Sequence, residues 1–304
     1  MAAAMLGSGA GRVVALTGPT LVLPQSTQTR NMATLKAISM RLKAVKNIQK
    51  ITKSMKMVSA AKYAKAERDL RTARVYGHGA QAFYEKAEVE QDEKKPNHLI
   101  VAMTSDRGLC GSVHSNIVRG IKADLPLKPA GTSFKIIAIG DKSRSMLGRL
   151  FKNDMLMHFV DIGKKPPLFE DASVIAQEIL KSGYQYDFGQ LYHNIFRSVV
   201  AYKTVTMPIF NTQSLNEAKK LSLYDSVDED VLTCYREFSL VSLFYFALKE
   251  SACSEQSQRM SSMDNATKNA GEMIDGLTLK YNRQRQAVIT NELVEIISGA
   301  AALK

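Results

Sequence analysis

Residues 33–76, ATLKAISMRLKAVKNIQKITKSMKMVSAAKYAKAERDLRTARVY, contain neither Gly nor Pro. Apolar residues recur at Leu35, Ile38, Leu42, Val45, Ile48, Ile51, Met55 and Val58, in steps of three or four. That spacing marks one narrow helix face, as in a coiled coil, with one local irregularity. Thr34 or Ser39 offers a cap at its start. Gly77 and Gly79 weaken helix locally, but AQAFYEKAEVE (80–90) restores good helix formers. The pattern predicts one helix from residue 35 to about 88, roughly 81 Å long.

The other end of the chain reads the same way. No Pro follows Pro208, and 227–304 reads as helix. Met260, Met263, Thr267, Ala270, Ile274, Leu277 and Tyr281 alternate steps of three and four, a heptad seam with small and polar members. FSLVSLFYFAL (238–248) lies between Arg236-Glu237 and Lys249-Glu250 and is too short to cross a bilayer. It reads as a helix segment packed on the N-terminal helix or on the middle domain.

Between the helices, polar QDEKKPN (91–97) is a loop. HLIVAMTS and FKIIAIG read as buried strands and MLMHFVDI as a third strand. Helix-like stretches at 113–125, 142–151 and 169–181 alternate with them, and LYHNIFRSVV and YKTVTMPIF follow as two more strands. Alternation of this kind indicates a mostly parallel, Rossmann-like α/β sheet over 97–211. Residues 212–226 read as a linker. The fold class is therefore α/β, with long N-terminal (33–90) and C-terminal (227–304) helices flanking one central domain.

Charge is unevenly placed. The 304 residues carry 41 Lys+Arg against 29 Asp+Glu, a net +12. The first acid is Glu67, and eleven basic residues precede it (Arg12, Arg30, Lys36, Arg41, Lys43, Lys46, Lys50, Lys53, Lys56, Lys62 and Lys65). So concentrated a block points to an acidic partner, or to a targeting segment followed by one basic element. Residues 1–32 are rich in Ala, Ser and Thr, with two Arg and no acid. They fit an organelle transit peptide cleaved near Met32–Ala33 for import into mitochondria; a flexible tail is the alternative. A secretory signal would carry a charged start, which is missing. Hydrophobic residues at 45% exclude global disorder. Three widely spaced Cys without a CxxC pair argue against a disulfide scaffold or a zinc ribbon.

Two helices leaving one domain can pair only by running antiparallel. The C-terminal helix is the longer by about twenty residues at 1.5 Å each. Its overhang would begin near Arg283 and carries Val288, Ile289, Leu293, Ile296 and Ile297. A lone helix this apolar needs a sheath, or else it folds back on its own domain. DRGLCG (106–111) follows a strand and precedes a helix, but it lacks both GxxxxGK[ST] and GxGxxG, so its glycines read as turn residues. Cys110 reads as a packed or partly exposed thiol, open to oxidation. His78, His98, His114, His158 and His193 never stand at ligand spacing, and no metal or other cofactor is expected.

Three separated motifs carry a family resemblance. LKAISMRLKAVKNIQKITKSMKMVSAAKYAKAER (35–68) resembles the N-terminal helix of the γ subunit of F-type ATP synthases. TSDRGLCGS (104–112) resembles a turn of that family, and RMSSMDNATKNAGEMIDGLTLKYNRQRQAVITNELVEIISGAAA (259–302) its C-terminal helix. Together they cover roughly 33–304. The resemblance implies a non-catalytic rotor shaft. Its coiled coil enters a ring of three α and three β subunits, and its α/β foot, with the δ and ε subunits, sits on the membrane ring of c subunits. It further implies a peripheral place on the matrix side of the inner membrane, through the c ring.

The resemblance also assigns residues. Arg285 and Gln286 match the family's RQ pair, a catch for a β-subunit loop. Met55, with Lys53 and Lys56 of the basic block, faces the β lever loop. Ile289, Leu293, Ile296 and Ile297 form an apolar tip in a collar of α and β. Tyr224 and Asp225 lie near the c ring, a looser match because the 212–226 segment departs from the family. For single residues the plain alternatives stay open: an exposed helix face for the lysines and the Arg–Gln pair, a seam position for Met55. Two other classes remain: a nucleic-acid-binding coiled coil using the basic block, in which only Tyr63 is aromatic, and a small α/β enzyme in 97–211.

Overall fold

The computed structural model describes residues 35–92, 95–129, 131–225 and 227–302. The transit-peptide reading of 1–32 lies outside the described residues. Helix α1 runs Leu35–Lys86 and the last helix, α6, runs Glu229–Ala302, about 78 and 111 Å at 1.5 Å per residue. Glu88, at a left-handed φ of 51°, turns the chain just beyond α1. Glu229 and Asp230 put negative charge in the first turn of α6, where the helix dipole favours it.

The elements between are β1 (Asn97–Met103), α2 (Val113–Asp124), β2 (Ser133–Ile139), α3 (Asp141–Leu147), β3 (Met155–Phe159), α4 (Phe169–Lys181), β4 (Phe188–Phe196), β5 (Tyr202–Ile209) and α5 (Thr212–Asn216). The sheet order is β3-β2-β1-β4-β5. Four strands are parallel, and β5 returns antiparallel beside β4. The central strand β1 is buried on both faces. Leu99, Val101 and Met103 join a core with α4 and α6, while Ile100 and Ala102 join one with α2. This is why HLIVAM reads as an unbroken apolar run rather than an alternating one.

The 212–226 segment is more than a linker. It holds α5 and a short 3-10 turn, Leu221–Leu223. Leu215 is fully buried in the core that also takes Leu232 and Leu240, and the Asn211 side chain caps α5 by accepting the Ser214 amide at 2.7 Å. The apolar stretch 238–248 is spent in the same way. Leu240, Leu243, Phe244, Phe246, Ala247 and Leu248 are buried against the sheet and α1. By length and composition α6 holds one window apolar enough to cross a bilayer, and half of that window is buried inside the protein.

The two long helices pair antiparallel. Tyr84 meets Ser239, Gly77 meets Phe246, Lys249 meets Asp69 at 3.0 Å and Lys56 meets Asp264 at 2.6 Å. Gly77 is required by the packing, since a Cβ there would stand 2.5 Å from the Phe246 ring. The α1 seam corrects the reading from apolar residues. It runs Ile38, Leu42, Val45, Gln49, Thr52, Lys56, Ser59, Tyr63, Ala66, Leu70, Ala73, Gly77, Ala80 and Tyr84, an unbroken alternation of four and three in which none of the residues is exposed. Ile48, Ile51 and Val58 are 52–56% exposed instead. The irregularity in the apolar spacing is thus the point where hydrophobicity leaves the seam. The seam on α6 follows the expected residues from Met263 to Tyr281.

His193 on β4 is fully buried, its ring 5.9 Å from that of Phe246. Burial pushes its pKa down to about 4. The folded chain therefore holds it neutral, while the unfolded chain protonates it near 6.5. Stability should fall as the pH drops from about 6.5 towards 4, and His193→Asn should flatten that slope in urea melts taken at several pH values. An unchanged slope would remove His193 as its source.

Candidate functional site

Two regions of the paired helices are candidates: the free length of the shaft, and the place where the α/β domain holds it. Part of the seam along the free length is polar. The Thr52 and Thr267 hydroxyls lie 2.8 Å apart, and Gln49 comes within 3.3 Å of where a Cβ on Gly271 would stand. Lys56 bonds Asp264, whose other oxygen takes Lys268 at 3.1 Å. These two cations hold the Asp264 carboxyl below its ordinary pKa. Polar seam residues fix register at a cost in stability. Continuing that register puts the start of α1 opposite about residue 285 of α6.

Beyond that point, among the described residues, α6 has no partner helix. Arg285 and Gln286 are exposed at the start of this overhang. Ile289, Leu293, Ile296 and Ile297 are 49%, 54%, 70% and 60% exposed. The helix continues to Ala302 and does not fold back, so the alternative of a C-terminal segment on its own domain is overturned. Lys53 and Met55 sit midway along the shaft, Lys53 exposed and Met55 half-buried. Lys56 is engaged by Asp264 rather than free on the surface. Tyr224 and Asp225 are at the opposite end of the molecule, with Tyr224 packed edge-on to Phe83 at 5.4 Å. The expected residues thus form three stations along the long axis rather than one pocket.

The TSDRGLCGS turn stands at the carboxyl end of β1, beside the crevice where open α/β sheets take their ligands. Here the crevice is filled by α6. Glu255 and Arg259, 4% and 5% exposed, pair one turn apart on α6, and Arg259 donates two hydrogen bonds to the Gly108 carbonyl, at 3.2 and 3.3 Å. The Asp106 carboxylate accepts the amides of Asp141 and Asp161, each at 2.7 Å, and so ties the loops after β2 and β3 to this turn. Gly140 has a φ of +91°, and a Cβ there would meet the Ser105 backbone at 2.7 Å. His114 reaches the Arg107 carbonyl at 3.0 Å, and burial lowers its pKa. Cys110 is buried, and desolvation pushes its thiol up to about 11, so it is a protonated, packed thiol at neutral pH. The turn is a structural clamp on the shaft. Among the described residues no group of His, Cys, Asp and Glu could hold a metal ion.

The apolar spacing did not reveal the Glu255–Arg259 pair. Its only signal was an acid and a base four residues apart, in a helix that was otherwise expected to be packed.

The family described as ATP synthase matches residues 34–303. A Drosophila melanogaster protein named ATP synthase subunit gamma, mitochondrial, is 59% identical over 277 residues, covering 91% of this chain and 93% of its own. The chain belongs to the family of ATP synthase γ subunits. A second relative of this family, the ATP synthase F(1) complex subunit gamma, mitochondrial, of Rattus norvegicus, is 56% identical and matched over its full length, which covers 89% of this chain. Among solved structures, a chain of the central stalk and c-ring of Tetrahymena thermophila mitochondrial ATP synthase has a TM-score of 0.61 at 30% identity. The match covers 71% of this chain and 99% of that one. A chain of the Euglena gracilis OSCP/F1/c-ring assembly shares the fold, with a TM-score of 0.71 at 21% identity over 89% of this chain and 94% of that one.

Proposed function

We propose that this chain is the central-stalk rotor of mitochondrial F-type ATP synthase and carries c-ring rotation into the catalytic subunits. The observation that carries the reading is the bare apolar end of a long antiparallel helix pair. A surface of this kind is stable in water only inside a surrounding protein. Three α and three β subunits form that sleeve. The δ and ε subunits and the c ring hold the opposite end, on the matrix side of the inner membrane.

Within this reading the chain performs no chemistry. Arg285 and Gln286 form a catch for a β-subunit loop. Lys53 and Met55 face the β lever loop, with Lys56 beside them. Ile289, Leu293, Ile296 and Ile297 turn in the apolar collar, and Tyr224 and Asp225 face the c ring. Exposed lysines suit a moving contact, because each solvated ion pair contributes only about 0–1 kcal/mol and breaks readily at every step. The nucleic-acid reading is disfavoured by the one aromatic in the block. Tyr63 is packed on Phe196 with ring centroids 5.7 Å apart and is unavailable for base stacking.

Affinity capture of the chain from mitochondrial membranes should bring down α and β subunits; capture without them would reject the shaft. Arg285→Ala should lower ATP hydrolysis by the assembled complex by about tenfold, a loss of ~1.4 kcal/mol in barrier terms. A normal rate would remove the catch.

A further inference from the structure

Where β4 ends, the backbone of one residue, Phe196, is bonded to both long helices. The Phe196 N–H donates to Glu250 Oε2 of α6 at 2.8 Å, and the Phe196 carbonyl accepts from Arg74 Nη2 of α1 at 3.1 Å. Arg74 Nε in turn donates to Glu250 Oε1 at 2.7 Å, which closes the ring of contacts. The Glu250 side chain is 1% exposed. Just beyond, the β4–β5 hairpin tip takes two more bonds from α6. Ser257 donates to the Val199 carbonyl, and Gln258 donates to the Val200 carbonyl at 2.9 Å.

We propose that Arg74, Glu250 and the backbone N–H and C=O of Phe196 form the joint through which the α/β domain turns both shaft helices as one body. Arg74 and Glu250 are then positioning residues for rotary coupling. This rests on the rotor reading above. The large apolar interface between α6 and the sheet is non-directional and resists slip weakly. The joint is directional. Turning either helix against the domain breaks a bond and leaves a buried polar group without its partner, which is costly. Because the domain contributes backbone groups here, the grip is tied to the end of β4 itself rather than to a side chain that could swing away.

The test uses the complete ATP synthase in membrane vesicles, carrying the full chain with E250Q. Glutamine keeps the shape and an acceptor for the Phe196 amide but removes the charge that holds Arg74. Two quantities are read: the ratio of ATP-driven proton pumping to ATP hydrolysis, and the angular spread of a rod attached to the c ring while the catalytic ring is fixed. The ratio should fall by about twofold or more and the spread should widen, while hydrolysis stays within about twofold of the wild type. R74K, which keeps the charge but loses the forked geometry, should fall between E250Q and wild type.

A purely structural role would lower assembly and both activities together and leave ratio and spread unchanged. That result overturns the joint. If E250Q does not assemble, R74K decides by the same two readings, and wild-type values there overturn it. A wild-type rod that does not turn with ATP would instead defeat the rotor reading itself.

Discussion

Removal of residues 283–304 should leave the α/β domain folded and cut ATP synthesis by the assembled complex at least about tenfold, equivalent to ~1.4 kcal/mol or more. Retention of the fold follows from where the contacts are. The sheet cores draw on α6 only as far as Leu248, the clamp on the turn ends at Arg259, and the seam is carried by residues up to Tyr281. The deleted segment joins the seam only at its start, where Gln284 lies half-buried opposite the beginning of α1. The loss of function follows from what the segment exposes. Ile289, Leu293, Val294, Ile296 and Ile297 are each about half exposed or more. Covering them in a sleeve stabilises seating by on the order of 5 kcal/mol, at roughly 1 kcal/mol for half of each side chain. Native gels would report the seating and a luminescence assay the synthesis rate. Full seating and full synthesis after truncation would sink the apolar-tip reading.

Arg259→Ala should destabilise the chain by about 3–5 kcal/mol, because it strands the buried Glu255 carboxylate. It also removes both donors to the Gly108 carbonyl, so the turn loses its hold on α6. Replacing the pair together, with Glu255→Leu and Arg259→Met, should cost much less, since two matched apolar residues leave no uncompensated charge. Urea melts of the single and double variants form the comparison. A double variant as unstable as the single would mean that the pair acts through the Gly108 contact alone. A single variant near wild type would mean that Glu255 finds another partner. The effect is large because a loss of this size is a sizeable share of the ~5–15 kcal/mol that holds a domain folded.

The difference between what could be read early and what could not follows residue by residue. Strands buried on both faces show themselves as apolar runs, so β1 and most of β2 were legible; β3 is a half-buried edge strand that ends at Phe159, short of the MLMHFVDI run. Helix α4 was legible at both ends. Pro166 and Pro167 precede it, and Asp171 accepts the Leu168 amide at 2.7 Å to fix its start. The overhang needed only two helix lengths and the requirement that they run antiparallel, and its expected start near Arg283 lies within two residues of the register drawn by Thr52 and Thr267.

The α1 seam was misread from Ile48 onward. Apolar spacing reports where hydrophobic residues lie, and in this stretch they lie on the outside while Gln49, Thr52 and Ser59 face the partner. The linker reading failed for the opposite reason. Leu215 is one of a few scattered apolar residues, with Leu221 and Leu223, in a polar segment, and nothing local to it indicates that a distant core will receive it.

Sequence alone determined the secondary structure outside 212–226 in outline, the order of the domain between two helices and the surplus length of the second helix. These depend on local propensity and on spacing along one chain. Tertiary structure alone decided which face of α1 pairs, why Gly77 must be glycine, and how buried Glu250, Glu255 and Arg259 fasten the shaft to the sheet. Those depend on which groups meet in space, such as Gly77 with Phe246, Arg74 with Glu250 and Arg259 with Gly108, where desolvation makes each unmatched charge or misplaced methyl costly.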